Sequence, residues 1–318
     1  GLMAAKILAA QRASLPGNVF MVFQPAEELL SGAEAMLKDG ALEGVKADGA
    51  FSVHLANEQP AGTVGLLTGP TLSSADRIEI TVTGRGGHGA NPHRAVDPIV
   101  ASAQVITALQ TLVSRETHPL KTAVLSIGMI NAGTAFNINP DAVEMVGTFR
   151  CYETAVRDSV LKGLRRTVEG VAAGLGCTAE VRNRWLCPAL VNDEAMTTIA
   201  RGVAHAIVGP DATLVMEPKT GSDDLSYFWE KVPGCYAFIG SANYSKEAFL
   251  YRREILIPGD AIAAARYCAS LRADSVSCLA ADVEDRVRLT EFERRQPTHR
   301  APRPVRILTT RPVARPEF

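Results

Sequence analysis

Two adjacent carboxylates, Glu27 and Glu28, follow an apolar run in "GNVFMVFQPAEELLSGAEAML", Gly17 to Leu37. In a parallel sheet, ligands gather outside the carboxyl ends of the strands, and this pair lies just past one such end. His54 closes the next apolar run, "AFSVH", so two separate strands deliver Glu, Glu and His to one rim. One carboxylate and one imidazole form part of a zinc, manganese or nickel site, and the second carboxylate is then free to take a proton from a bound water. The plainer explanation is structural. Acids in a helix's first turn are favoured by about 0.3 to 1 kcal/mol through the helix dipole, and Pro25 suits a helix start. The residue types alone leave both readings open.

Three further stretches carry reactive side chains. "GRGGHGANPHRAVDP", Gly84 to Pro98, contains a formal G-x-G-x-x-G. A dinucleotide fingerprint is excluded: the helix begins only near Asp97, Pro92 interrupts, and Leu109 to Arg115 offers no acid for a ribose. The glycines either let backbone approach a substrate while presenting His88 or His93, or form a polar turn with surface histidines. In "GTAFNINPDAVEMVGTFR", Asn139 with Pro140 and Asp141 reads as turn chemistry, while Asn137 and Arg150 are polar residues in or beside strands. Arg150 suits a bidentate grip on a substrate carboxylate, or on an acid of its own domain. In "TGSDDLSYFWEKVPG", Asp223 and Asp224 either cap an aromatic helical segment or face the rim of Glu27. Nucleophilic alternatives lack support, with no G-x-S-x-G and no cysteine beside an evident histidine.

These residues need elements to hold them. Residues 1–70 read as helix, strand, helix, strand ("AAKILAAQR", "NVFMVF", "SGAEAMLKDGAL", "GAFSVHL"), which implies a parallel sheet buried on both faces. From Ala75 the pattern becomes βαββαβ, the ferredoxin-like unit, ending near "CTAEVRNRW". After Val191 helical and strand signals resume ("DEAMTTIARGVAHAIVG", "GCYAFIG", "AIAAARYCASL"), as though the first layer were being completed. The class is therefore α/β: a discontinuous domain over 1–74 and 191–272, an inserted domain over 75–190, and a tail over 273–318. From Arg294 that tail holds seven Arg, five Pro and a single acid, Glu317, and is expected to lack a packed fold.

Composition sets outer limits. At 318 residues, 47% apolar and 21% charged, the chain can bury a large core, and its length favours two domains. A net charge of −1 with six His gives no global pull toward nucleic acid or an anionic membrane. Six cysteines without C-x-x-C spacing suit a reducing cytosol, and no apolar run approaches the roughly 18 residues of a membrane span. A soluble, cytoplasmic protein is expected. The chain opens at Gly1 inside an apparent helix, so it is expected to be incomplete there.

The stretches "FQPAEE", "VHL...PAGTVGLLTGP", "GRGGHGANPHRAVDPI", "SIGMINAGTAFNINPDAVEMVGTFR" and "SDDLSYF", in that order over roughly residues 1–245, resemble the M20 family of metal-dependent amidohydrolases. Within it they are similar to hippurate hydrolases, N-acyl amino acid amidohydrolases and auxin-conjugate (IAA-amino acid) hydrolases. The resemblance implies a partial phosphorylase/hydrolase-like catalytic domain carrying a pair of divalent metals (Zn, Mn, Ni or Co) and interrupted by a ferredoxin-like lid that dimerises. It gives Glu27 the role of general base, Glu28 and His54 those of metal ligands, and His88 that of a lid histidine reaching the partner's active site to stabilise the oxyanion. Asn137 and Arg150 fall near the carboxylate of a small N-acyl amino acid substrate.

Departures from the family pattern carry their own expectations. The upstream Cys-Gly-His-Asp motif would precede Gly1, Tyr251 aligns with a histidine ligand, and Asp223 stands where Glu is usual. Weak metal binding follows, and two functions compete. One is hydrolysis of N-acyl or N-aroyl amino acids; the other is a catalytically inactive truncated remnant or dimerising scaffold. A third idea, polyanion binding by the Arg-rich tail, ranks below both.

Overall fold

A computed structural model of the chain describes residues 2–240, with side chains from residue 4 onward. Tyr251, Cys268, Cys278, the helix expected at "AIAAARYCASL" and the tail 273–318 lie outside the described residues. In chain order come α1 (Leu2–Ala10), a single helical turn at Glu27–Leu29, α2 (Gly32–Lys38), β1 (Ala50–Ala56), β2 (Val64–Leu66) and β3 (Gly69–Leu72). There follow β4 (Ala75–Thr83), β5 (Gly87–His88), α3 (Pro98–Thr111), β6 (Ala123–Ala132), β7 (Ile138–Asn139), β8 (Ala142–Cys151), α4 (Thr154–Gly174) and β9 (Thr178–Cys187). Last are β10 (Leu190–Asn192), α5 (Glu194–Val208), β11 (Thr213–Val215), α6 (Ser226–Trp229) and β12 (Gly234–Gly240).

The first sheet has the order β1-β12-β2-β11. Successive side chains of a strand point to opposite faces, and β12 uses both. Cys235 and Ala237 pack with Leu66 and Ala204 of α5, while Tyr236 and Phe238 pack with Ala56, Leu72 and Leu190. β1 runs parallel to β12, with His54 opposite Phe238. Two expectations fail here. β12 is antiparallel to β2, so the sheet is mixed rather than all-parallel. "NVFMVF" forms no strand among the described residues, and Val19, Phe20 and Phe23 stay half exposed. An apolar run becomes a strand only where a neighbour completes its hydrogen-bond ladder. Among the described residues β1 is an edge of this sheet, and Phe51, Val53 and Leu55 are likewise exposed rather than buried on both faces.

Residues 75–187 build the second sheet, antiparallel throughout, in the order β6-β8-β4-β9. β4 alternates: Ile78, Ile80 and Val82 are buried, while Arg77 and Glu79 pair on the outer face. α3 and α4 cover the inner face through Ala101, Val105, Leu109, Val160, Leu164 and Val168. Each large apolar side chain so buried contributes about 1.5–3 kcal/mol. α3 starts where Asp97 accepts hydrogen bonds from the amides of Ile99 (2.8 Å) and Val100 (3.3 Å), with Pro98 at the first helical position. Between the two sheets the chain passes out at Ser73–Ser74 and back at Pro188–Ala189, beside the antiparallel pair β3 and β10. Asp76, fully buried, accepts two hydrogen bonds from Arg157 (2.6 and 2.7 Å), whose guanidinium lies 4.1 Å from the Trp185 ring centre. Among the described residues no helix is long and apolar enough to cross a membrane.

Candidate active site

Glu27 and Glu28 occupy a tight turn that the backbone does not adopt by default. Ala26 (φ 53°) and Leu30 (φ 51°), on either side of it, are left-handed although neither is glycine. Such a conformation costs about 1–2 kcal/mol per residue, so surrounding structure must impose it. The fully buried Asp224 supplies the clamp. One carboxylate oxygen accepts from Gln24 Nε2 at 2.5 Å and the other from the Ala33 amide at 2.8 Å, which joins the residues on both sides of the turn. Gly32 allows the closure, because a Cβ there would lie 1.6 Å from the Pro25 carbonyl oxygen. The acidic pair thus precedes α2 in a turn of its own rather than starting that helix.

The charges around Glu27 define a cluster. Partial burial pushes its carboxyl upward, the negative charges of Asp223, Glu28 and Asp224 push the same way, and His54 opposes them. His54 Nδ1 donates to the Leu55 carbonyl at 2.7 Å, which leaves Nε2 with its lone pair available to a proton or a metal ion. Its ring stacks on Tyr236 (centroids 6.1 Å apart, planes 25°) and meets Phe238 edge-on. Tyr236 donates its hydroxyl proton to Asp223 at 2.8 Å, while the other Asp223 oxygen accepts from the Leu225 amide at 2.9 Å. Burial, then the charge of Asp223, raises the Tyr236 phenol far above its ordinary range and keeps it a donor. Burial also raises the Asp224 carboxyl. Asp223 thus accepts from the Leu225 amide just ahead of α6, Asp224 is turned instead to Gln24 and Ala33, and the charges of both act on Glu27.

His88 and Asn137 form a second group. β5 pairs with β7, placing His88 opposite Ile138, and the Gly89 amide donates to the Asn137 carbonyl at 2.8 Å. His88 Nδ1 accepts from the Ala90 amide at 3.1 Å, so a neutral imidazole carries its proton on Nε2 and presents a donor outward. Both side chains are exposed, and none of the hydrogen bonds of this ribbon reaches Glu27, Glu28 or His54. Arg150 belongs with neither group: it donates to Thr148 Oγ1 at 2.9 Å and to Ser222 Oγ at 2.5 Å. Neither partner is an acid. Gln24, Gly32, Ser222 and Tyr236 were not singled out from the sequence. Gln24 lies inside "FQPAEE", and Tyr236 sits on the alternation of "GCYAFIG", but nothing local marks either as a partner of an aspartate.

Glu28 and His54 are donors of the right chemistry for a divalent ion. Among the described residues, however, no three His, Cys, Asp or Glu side chains are arranged to hold one. The fit is partial, and no chemical step is assigned to an ion.

A family model described as peptidase family M20/M25/M40 matches residues 1–257. N-acetyl-L-cysteine deacetylase of Bacillus subtilis is 38% identical over 244 residues, covering 76% of this chain and 57% of the relative. IAA-amino acid hydrolase ILR1-like 2 of Arabidopsis thaliana is 37% identical over 243 residues, covering 75% and 54%. The chain thus spans little more than half the length of these curated relatives. The crystal structure of the Bacillus subtilis YXEP protein, described as a dinuclear metal binding peptidase from the M20 family, superposes with a TM-score of 0.64 at 33% identity, over 88% of this chain and 70% of that one. The chain belongs to peptidase family M20/M25/M40.

Proposed function

We propose that the chain carries the amide-hydrolysing site of an amidohydrolase acting on N-acyl and N-aroyl amino acids, N-benzoylglycine (hippurate) among them. The observation behind this is Glu27: a carboxyl raised toward neutrality, in a strained turn, amid His54, Asp223 and Asp224. A carboxylate so tuned is a better general base than a solvated one, since its proton affinity lies closer to working pH. Glu27 takes the proton of the attacking water and returns it to the leaving amine. Glu28 and His54 are the donors offered to a divalent ion (Zn, Mn, Ni or Co), which when bound would polarise the amide carbonyl. His88, with its outward Nε2 proton, stabilises the oxyanion in the active site of a second copy. Asn137 and the guanidinium edge of Arg150 not used by Thr148 and Ser222 take the substrate carboxylate.

The same reading assigns 75–190 as a lid and dimerisation domain on a catalytic domain of 1–74 and 191–272. The β3–β10 crossing supports this, as do the exposed Met129 and Ile130 on the edge strand β6. The buried free thiols of Cys151, Cys177, Cys187 and Cys235 suit the cytosol. Hydrolysis of N-benzoylglycine and N-acetyl amino acids, assayed with each divalent ion in turn, tests the activity. Turnover that Glu27→Gln abolishes is the expected result, and no turnover with any ion overturns it. A second reading, a non-catalytic dimerising product, is favoured by the missing three-donor group among the described residues. Calorimetry showing tight divalent binding by this chain would refute it.

A further inference from the structure

Arg150 lies on β8, an interior strand of the second sheet, yet its Nη1 reaches Ser222 Oγ, next in the chain to Asp223. A guanidinium has only donors, so Ser222 must accept, and its own proton is left for another oxygen. Ser73 Oγ, 3.4 Å away, is placed to receive it, and itself donates to the Thr220 carbonyl at 2.8 Å. The Ser73 amide donates to the Gly221 carbonyl at 2.8 Å. On the other side, Thr148 Oγ1 accepts from Arg150 Nε and donates to the Asp76 carbonyl at 3.3 Å. The donor order is therefore one-directional, from Arg150 through Ser222 and Ser73 to the backbone of the 220–221 loop. Such chains strengthen one another and are intolerant of a lost member. From Ser222 the backbone runs directly into Asp223, bonded to Tyr236, and Asp224, bonded to Gln24 and Ala33.

We propose that Arg150 is a positioning residue: by holding Ser222 it fixes the 221–224 turn that sets Asp223 and Asp224 beside Glu27, so that the second sheet controls the geometry of the carboxylate cluster. Its kinetic consequence rests on the amidohydrolase reading; its structural consequence does not. If Arg150 served only a substrate carboxylate, Ser222 would be dispensable.

The test uses Arg150→Ala, Ser222→Ala and Ser222→Thr in the full chain. Two readouts are amide hydrogen exchange at Ala33 and Leu225, whose N–H groups bond Asp224 and Asp223, and the kinetics of N-benzoylglycine hydrolysis. Arg150→Ala and Ser222→Ala are each expected to speed exchange at those two amides about tenfold, without change in the strands β4 and β8, and Ser222→Thr to restore it. Ser222→Ala is expected to lower kcat about tenfold at unchanged KM, whereas Arg150→Ala also raises KM. Wild-type exchange in Ser222→Ala, or an effect of Arg150→Ala on KM alone, overturns the proposal. Should the chain hydrolyse nothing, accelerated exchange at both amides upholds the latch and refutes only the activity, and unchanged exchange refutes the latch.

Discussion

Replacing Asp224 separates the clamp on the Glu27 turn from the charge that forms it. In Asp224→Ala, the amide of the fully buried Ala33 loses its acceptor, which costs about 1–3 kcal/mol, and the bond from Gln24 is lost as well. A total near 3 kcal/mol follows, and at about 2–4 °C per kcal/mol for a domain of this size the melting temperature falls by about 6–12 °C. Asp224→Asn keeps the shape. Its oxygen accepts from Ala33, and its NH2 meets Gln24, whose side-chain amide turns over to present Oε1, so the loss is about 1 kcal/mol or less. The pH dependence separates them further. Burial raises the folded-state pKa of Asp224 above the ordinary 3.8, so the folded protein holds this proton more tightly than the unfolded chain does. Its contribution to stability is therefore complete below that ordinary value and is lost as pH rises through the raised one. The Asn variant lacks that component. Thermal unfolding followed by circular dichroism, from the acid side of this window to neutral pH, reads both effects. An Ala variant as stable as wild type, or an Asn variant as damaged as Ala, would refute the reasoning.

Other perturbations follow from the same geometry. In Gly32→Ala the added Cβ would lie 1.6 Å from the Pro25 oxygen. Denaturant titration should show a net loss of about 2 kcal/mol or more, and unchanged stability would contradict that close approach. Arg157→Met leaves the buried Asp76 without its bidentate partner and should cost about 3–5 kcal/mol. Adding Asp76→Leu should recover most of this loss, and a double variant no more stable than the single would argue against it.

Elements whose stability is local were legible in the sequence. Asp97-Pro98 announced the start of α3, the alternation of "DRIEITVTG" announced β4, and the apolar spacing of "VRDSVLKGLRRTVEGVAAGL" announced α4. "AFSVH" put His54 on β1. "NVFMVF" misled because a strand is completed by its neighbour, and nothing within six residues specifies that neighbour. The candidate site was legible as a set of acids and a histidine, not as a structure. Its clamp joins Gln24 to Asp224 across 200 positions, and its latch joins Arg150 to Ser222 across 72. Local periodicity says which face a residue occupies but not which distant group it meets. The left-handed Ala26 and Leu30 were hidden for a related reason, since tertiary contacts impose them against local preference.

The central claim is that Glu27 is a base tuned by the acids gathered around it. The direct test is a titration of the Glu27 side-chain carboxyl by carbon-13 NMR in the full chain, with Glu27→Gln to assign the signal. A midpoint above the ordinary 4.5 that moves down in Asp223→Asn is the predicted result. A midpoint at or below 4.5, indifferent to Asp223, would contradict it.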